Sequence, residues 1–295
     1  MPAAYLVLFL ANILYATSYT VTRVVLADVA PATLGLARLV IGAAILVPWA
    51  LAQRRPGVRL SRSDRWSVFW MGLLGFAGAF AFGNWGLARS TASNAALLIT
   101  VEPASLILFS PLLLGERLPL REGIGAALAM AGAVLVVVNG IPGVTLGLAP
   151  HWRGDLLLIL SGLAYASYSL LGRGVLGRHP VMPVTAWSIL WGVGAMLPLA
   201  ILEWTGGHRP HWAPPAVAGT LYLGGIITAL GYTAWNYALE RVEAPRAAIF
   251  LNLQPLVGAL LGVWLLHEPL TPYTVVGGVL ILTGLHLTVK AGRVG

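Results

Sequence analysis

Long uninterrupted apolar runs, separated by short polar or glycine- and proline-bearing turns, cover this chain almost from end to end. They predict helices at approximately 4–26, 32–53, 65–88, 93–113, 120–139, 153–174, 181–204, 214–239, 246–266 and 272–290. Each run is close to the roughly 20 residues that carry a helix across about 30 Å of hydrocarbon. The apolar positions are continuous rather than alternating, which selects helices over barrel strands, because lipid offers backbone amides no partner. The fold class expected from this pattern is an all-α integral membrane protein of ten transmembrane helices. The first run does not read as a cleaved leader: Met1-Pro2-Ala3-Ala4-Tyr5 has no basic residue, and the run is too long.

The pattern also repeats at an offset of about 150 residues. Asn84, Leu87, Arg89, Pro103, Glu116, Gly125 and Gly132 meet Asn236, Leu239, Arg241, Pro255, Glu268, Gly277 and Gly284. Tyr15-Ala16, Arg23 and Pro48 meet Tyr165-Ala166, Arg173 and Pro198. Two repeats follow, over 1–144 and 145–295, each with five spans. Five is odd, so the second copy enters the bilayer from the opposite side. Inverted repeats of this kind characterise secondary transporters, whose site lies between the copies near mid-membrane.

Composition agrees. Hydrophobic residues make up 58% of the chain and charged residues 9%, too little charge to cover a water-soluble surface. The net charge of +8 points to membrane topology rather than nucleic acid. Arg54, Arg55, Arg59, Arg62, Arg65, Arg117, Arg121, Arg173, Arg178, Arg241, Arg246, Lys290 and Arg293 fall on one side. Only Arg23, Arg89, Arg153 and Arg209 fall on the other, which places both termini in the cytoplasm of a cell (inner) membrane. The absence of cysteine excludes disulfides and thiolate metal sites. No metal or cofactor is expected.

Two ionisable residues fall well inside predicted spans, and such groups are costly enough in hydrocarbon to be functional candidates. Glu102 directly precedes Pro103, which frees the carbonyl of Ile99. The other repeat keeps the proline, Pro255, but carries Gln254 in place of the glutamate. Glu102 is expected to bind a substrate amine, a proton, or each in turn; a protonated acid bonded to a neighbouring helix is the alternative. Arg38 either snorkels to the headgroups or recognises a substrate carboxylate, and with Glu102 it would suit a zwitterion. Asn12, Tyr15, Tyr19 and Thr22 share one face of the first helix, and Tyr165, Tyr168 and Ser169 occupy the matching stretch of the sixth. Phe80 and Asn84 correspond to Tyr232 and Asn236, beside Trp235, while Trp187 and Trp191 face one way on the seventh. The expected substrate-binding set is Asn12, Tyr15, Tyr19, Phe80, Asn84, Glu102, Tyr165, Ser169, Tyr232, Trp235, Asn236 and Gln254, with Glu102 also carrying any proton coupling. Trp66, Trp152 and Trp212 fit interfacial anchors. Glu116 and Glu268, at helix ends, read as caps or packing residues, with gating as the alternative. The glycine pairs Gly125/Gly132 and Gly277/Gly284, each seven apart, lie on single helix faces suited to close packing, within the chain or as a dimer seam.

With its paired proline helices ending in a glutamate (95–118 and 247–270), the glycine-bearing helices after them and the Tyr-Ala pairs, the chain resembles the drug/metabolite transporter superfamily. It is most similar to the ten-helix exporters built of two EamA-type domains. That resemblance implies a central cavity between the halves, alternating access and export of amino acids or related small metabolites, often proton-driven. Hydrophobic cations or drugs are the alternative substrates. From other classes, a membrane-embedded enzyme would need clustered acids or a His-Asp pair near one face, and a channel would draw its filter from several subunits. The expected partners are a small-molecule substrate and the lipid bilayer, without nucleic acid, for a monomer or homodimer.

Overall fold

The computed structural model describes residues 2–52, 60–114, 119–139, 141, 150–231, 233–234, 237, 250 and 253–291, and every regular element among them is helical. In chain order these are α1 (Pro2–Val25), α2 (Pro31–Ala52), α3 (Arg62–Leu87), α4 (Ala92–Leu98), α5 (Val101–Leu114) and α6 (Leu120–Asn139). Then follow α7 (Trp152–Leu176), α8 (Val181–Thr205), α9 (Pro214–Leu230), α10 (Leu253–Leu266) and α11 (Pro272–Ala291). Helices α1, α2, α3, α6, α7 and α8 are long and apolar enough to cross a membrane, and α9, α10 and α11 are shorter apolar helices. The exterior is apolar: Leu202, Leu260, Trp264 and Val279 are all exposed, the inverse of a water-soluble surface. Trp66 and Trp212 are exposed near helix starts, where interfacial anchors belong. Ser61 caps α3, its side chain accepting from the Asp64 amide at 3.0 Å.

Contacts between turns define two faces. On one, Arg23 Nη1 donates to the Leu87 carbonyl (2.8 Å), Asn84 Nδ2 to the Pro31 carbonyl (2.9 Å) and the His211 amide to the Asp28 carbonyl (2.9 Å). The start of α7 lies on this same face, where Asp155 meets Ser90 and Asn94. Helix α1 therefore ends where α7, its counterpart in the repeat, begins. The opposite face carries Asp64, which accepts from Arg178 Nη2 at 2.5 Å and lies 3.0 Å from His179 Nε2.

Packing follows the repeat. The middle of α3 (Met71–Gly78) and the latter part of α9 (Tyr222–Leu230) are both wound as π-helix, the widened turn that recurs at functional sites. A side chain at Gly72 of α3 would strike the Gly192 amide of α8 at 3.1 Å, and one at Gly224 of α9 would strike Ile41 of α2 at 2.6 Å. Reciprocally, Gly192 faces Phe76 (2.8 Å) and Gly42 faces Thr228 (2.8 Å). Glycine is required at these four crossings because the neighbouring helix occupies the space of a Cβ.

Helices α6 and α11 press together through the two glycine faces. A Cβ on Gly277 would meet the Gly132 carbonyl at 2.7 Å, and one on Gly132 would meet Ile281, while Gly284 lies against Gly125 and Ala129. These faces are consumed inside the chain. The alternative of a dimer seam built on them is thereby overturned: the surfaces it needs already cover each other.

Candidate functional site

A cavity of about 690 Å³ runs between the two halves, within the size range of small-molecule sites. Its floor is set by a break in the fourth predicted span. Between α4 and α5 the α-helical ladder gives way: the amide and hydroxyl of Thr100 donate to the Leu97 carbonyl, at 3.3 and 2.6 Å. Pro103 has no N–H to offer Ile99, and the Ile99 carbonyl instead accepts from the Glu102 amide at 3.0 Å. The freed carbonyl expected from the sequence is thus satisfied by the next turn. The same break points Glu102 into the cavity, against the Ser169 hydroxyl of α7.

The opposing charge comes from α2. Arg38 lines the same cavity, its Nε donating to Thr228 Oγ1 at 2.9 Å and its guanidinium lying 4.4 Å from the Phe80 ring centroid. The π-helical turn of α9 holds Thr228 for this task, because its hydroxyl donates to the carbonyl five residues back, Leu223, at 2.9 Å. The cation–π contact adds about 0.5–2 kcal/mol of attraction. Snorkelling is ruled out for Arg38, whose guanidinium is turned inward. No described residue accepts from its terminal nitrogens, and it does not pair with Glu102.

An aromatic wall joins the two charges. Phe80 stacks edge-on with Tyr165 (6.3 Å) and with Phe76 (6.2 Å), which in turn meets Tyr168 (5.3 Å). Gly75 leaves the space into which Tyr168 packs, and Gly231 does so for Tyr15, whose hydroxyl lies 3.0 Å from where a Cβ would stand. Tyr19 and Tyr165 each lie within electrostatic range of both Arg38 and Glu102.

Of the sequence-derived set, Tyr15, Tyr19, Phe80, Asn84, Glu102, Tyr165, Ser169 and Gln254 line the cavity. Asn12 does not. It is fully buried behind Gln254, whose Nε2 donates to Asn12 Oδ1 at 2.8 Å, while Asn12 Nδ2 donates to the Leu8 carbonyl. Asn84 spends its amide nitrogen on the Pro31 carbonyl. Trp187 and Trp191 are half-exposed on the outside of α8, where Trp191 packs on Phe69 at 5.1 Å, and neither lines the cavity. Tyr232, Trp235, Asn236 and Glu116 lie outside the described residues.

The cavity reaches Leu176 and Val181, at the ends of α7 and α8 on the Asp64 face. Toward the other face it meets a hydrogen-bonded layer, of which Ser90, Asn94, Asp155, Glu203 and Glu268 lie outside the cavity lining. Two carboxylates there cap helices of distant sequence. Glu268 accepts from the amides of Ala92 (2.6 Å) and Ser93 (2.8 Å) and from Ser93 Oγ (2.6 Å), at the start of α4. Glu203 accepts from the amides of Ala32 and Thr33 (2.9 Å each), from Thr33 Oγ1 (3.0 Å) and from Trp85 Nε1 (3.2 Å), at the start of α2. Capping is therefore what Glu268 does, by the preference of helix N-termini for negative charge. Glu203, Thr228 and the buried Asp155 cluster were not anticipated from the sequence.

That cluster holds a His-Asp pair: His151 Nδ1 lies 2.8 Å from Asp155 Oδ2, and Ser90 donates to Asp155 Oδ1. The hydroxyl thus bonds the carboxylate, not the imidazole, so Ser90, His151 and Asp155 are not ordered as a Ser-His-Asp triad. No group of three or more metal-ligating His, Cys, Asp or Glu residues occurs among the described residues.

The model of the EamA-like transporter family matches residues 2–138 and again 152–290. An uncharacterized transporter of Archaeoglobus fulgidus is 28% identical over 286 residues, 96% of each chain. A probable terminal-alkyne amino-acid exporter of Streptantibioticus cattleyicolor is 29% identical over 285 residues, 95% of this chain and 91% of that one. A solved crystal structure shares the fold with TM-score 0.66 and 22% identity, covering 99% of this chain and 98% of the other.

Proposed function

This chain belongs to the EamA-like transporter family, and we propose that it exports amino acids or related small metabolites by alternating access around the central cavity. It is a multi-pass membrane transporter; substrate, coupling and orientation are our reading. The observation that carries the reading is one cavity holding an inward-turned acid, Glu102, and an inward-turned base, Arg38, unpaired with each other and joined by an aromatic wall. A zwitterion with an apolar or aromatic side chain would satisfy all three features. The Streptantibioticus relative, by its name an amino-acid exporter, supports the same class.

The two matches to the family model support two five-helix repeats, over 1–144 and 145–295, and a ten-helix bundle. The arginine asymmetry supports cytoplasmic termini in the cell (inner) membrane. In that orientation the Asp64 face is cytoplasmic, and the extension of the cavity to Leu176 and Val181 supports an inward-open state. Coupling to one proton through Glu102 would supply about 2.3 kcal/mol per 100 mV, a concentration ratio of roughly fifty. No cofactor enters this scheme.

Counterflow in proteoliposomes tests it, with labelled neutral and aromatic amino acids beside nucleosides and a cationic dye. Saturable exchange of amino acids is the expected result. Exchange of the dye alone would replace the reading with drug export.

A further inference from the structure

A second concavity, about 450 Å³, lies on the outside of the bundle between α3 and α7, lined by Trp85, Arg89, Arg153, Leu156, Leu157 and Leu160. It exists because two glycines let these helices touch. A Cβ on Gly154 would stand 2.7 Å from both the Gly86 and the Arg89 carbonyl oxygens, and one on Gly86 would stand 2.9 Å from the Gly154 carbonyl. This contact, at the last turn of α3 and the first of α7, sets Arg89 and Arg153 side by side at one end of the groove.

Neither arginine is neutralised. Arg89 is exposed and braced, its Nη1 donating to the Trp85 carbonyl at 2.9 Å, while its Nε and Nη2 have no acceptor among the described residues. Arg153 is exposed with its guanidinium 5.4 Å from the Trp152 ring centroid. The nearest acid along the chain, Asp155, is fully buried and turned inward to Ser90, Asn94 and His151. From this charged end the groove continues along α7. Arg153, Leu156, Leu157 and Leu160 fall at i, i+3, i+4 and i+7 on one face, a rise of about 10 Å into the apolar zone. Leu156 and Leu160 are half-exposed.

A row of leucines in hydrocarbon beneath two unpaired guanidiniums at the membrane boundary is complementary to one kind of molecule. We propose that this groove binds an anionic glycerophospholipid, its phosphodiester held by Arg89 and Arg153 and an acyl chain laid along Leu156 and Leu160. Guanidinium forks match phosphate geometry. The arginines sit on the side where the chain otherwise carries only Arg23 and Arg209, and Arg23 is already bonded to the Leu87 carbonyl. A transporter that changes shape around α3 and α7 would carry this lipid at their seam.

Native mass spectrometry of the purified full chain, titrated with phosphatidylglycerol or phosphatidylcholine, tests the proposal. One phosphatidylglycerol should bind at least tenfold tighter than phosphatidylcholine. Each arginine near an anionic headgroup contributes about five- to sixfold, so the double substitution Arg89→Gln/Arg153→Gln should weaken phosphatidylglycerol roughly thirtyfold and phosphatidylcholine, whose choline cancels the phosphate charge, much less. Arg209→Gln, exposed on the same side but outside the groove, should leave the binding of both lipids as in the parent, and an unchanged unfolding midpoint would confirm that the double variant is folded. Equal affinity for the two lipids, or undiminished phosphatidylglycerol binding in the double variant, would overturn it. Displacement by millimolar inorganic phosphate would reassign the groove to a soluble anion.

Discussion

Glu268→Ala removes the carboxylate that ties the end of α10 to the start of α4. Three donors lose their acceptor: the amides of Ala92 and Ser93 and the Ser93 hydroxyl. The hydroxyl has a second partner in the Ala259 carbonyl at 3.2 Å, so the orphans are two first-turn amides. A hydrogen bond to a charged acceptor is worth about 1.5–3 kcal/mol when its loss leaves the donor dry. Glu268 is only partly buried, however, so water reaches this end and the loss falls towards that of a missing cap. The cap contributes about 1 kcal/mol and the lost helix-dipole interaction about 0.3–1. Together they give about 1.3–2 kcal/mol, a factor of roughly ten to thirty in the folded-to-unfolded ratio. Glu268→Gln keeps one acceptor oxygen and should cost about half as much. The assay is reversible unfolding of the purified protein in mixed micelles, read by tryptophan fluorescence. Glu203→Ala, which orphans three donors at the start of α2 and Trp85 Nε1 of α3, should cost more. A Glu268→Ala protein within about 0.5 kcal/mol of the parent, the range of ordinary surface changes, would refute the capping argument.

Gly132→Leu drives a side chain into Ile281 and the backbone of Gly277 and should destabilise by more than the roughly 1–3 kcal/mol of ordinary overpacking. Gly194→Leu, with nothing within 4 Å of its Cβ, should stay near the parent in the same assay. Arg38→Lys gives up the Nε bond to Thr228 and the guanidinium's contact over Phe80. It should raise the KM for carboxylate-bearing substrates about tenfold while sparing amines that lack a carboxylate; an equal effect on both would remove Arg38 from recognition. Glu102→Gln should abolish accumulation driven by a pH gradient yet retain counterflow, and unchanged pH dependence would take Glu102 out of coupling.

What could be read from the sequence is what local chemistry dictates. Pro103 must interrupt its helix wherever that helix packs, so the break between α4 and α5 was legible, as was the crowding implied by glycines spaced seven apart. The deep tyrosines were legible because the repeat brings Tyr15 and Tyr165 to matching depths. Which way Arg38 turns was not, because the choice rests on Thr228, 190 residues away, and on a π-helical turn that glycine content alone does not announce. Glu203 was invisible for the same reason: its partners Ala32 and Thr33 lie about 170 residues back, and a carboxylate at a span end looks like any boundary charge. His151 and Asp155 are only four apart, yet their meaning depends on Ser90 and Asn94 across the helix junction.

The repeat also makes the two faces comparable, and they are not chemically equal. If symmetry alone placed the seals, each capping carboxylate on one face would have an equivalent on the other. Glu268 has one by sequence, Glu116. Glu203 does not, because its counterpart at the offset of 150 shared by Pro48 and Pro198 is Gln53. An amide at that position would offer one neutral acceptor oxygen where Glu203 presents two charged ones to the start of α2, and neutral bonds of this kind are roughly half as strong. The Glu203 face therefore carries a tie to α2 that the duplication did not supply to both ends, while the other face holds its own unrepeated tie, Asp64 with Arg178 and His179. In the proposed alternating-access cycle the Glu203 tie would favour the state closed on that face, the one in which the cavity reaches Leu176 and Val181, and the Asp64 tie would oppose it. Glu203→Gln would restore the chemistry of the repeat and should shift accessibility of the cavity towards the Glu203 face, measured by labelling single cysteines placed at Thr22 and Thr185, one near each end of the lining. Unaltered labelling at both positions would show that the closing tie lies elsewhere in the layer, with Asp155 and Glu268.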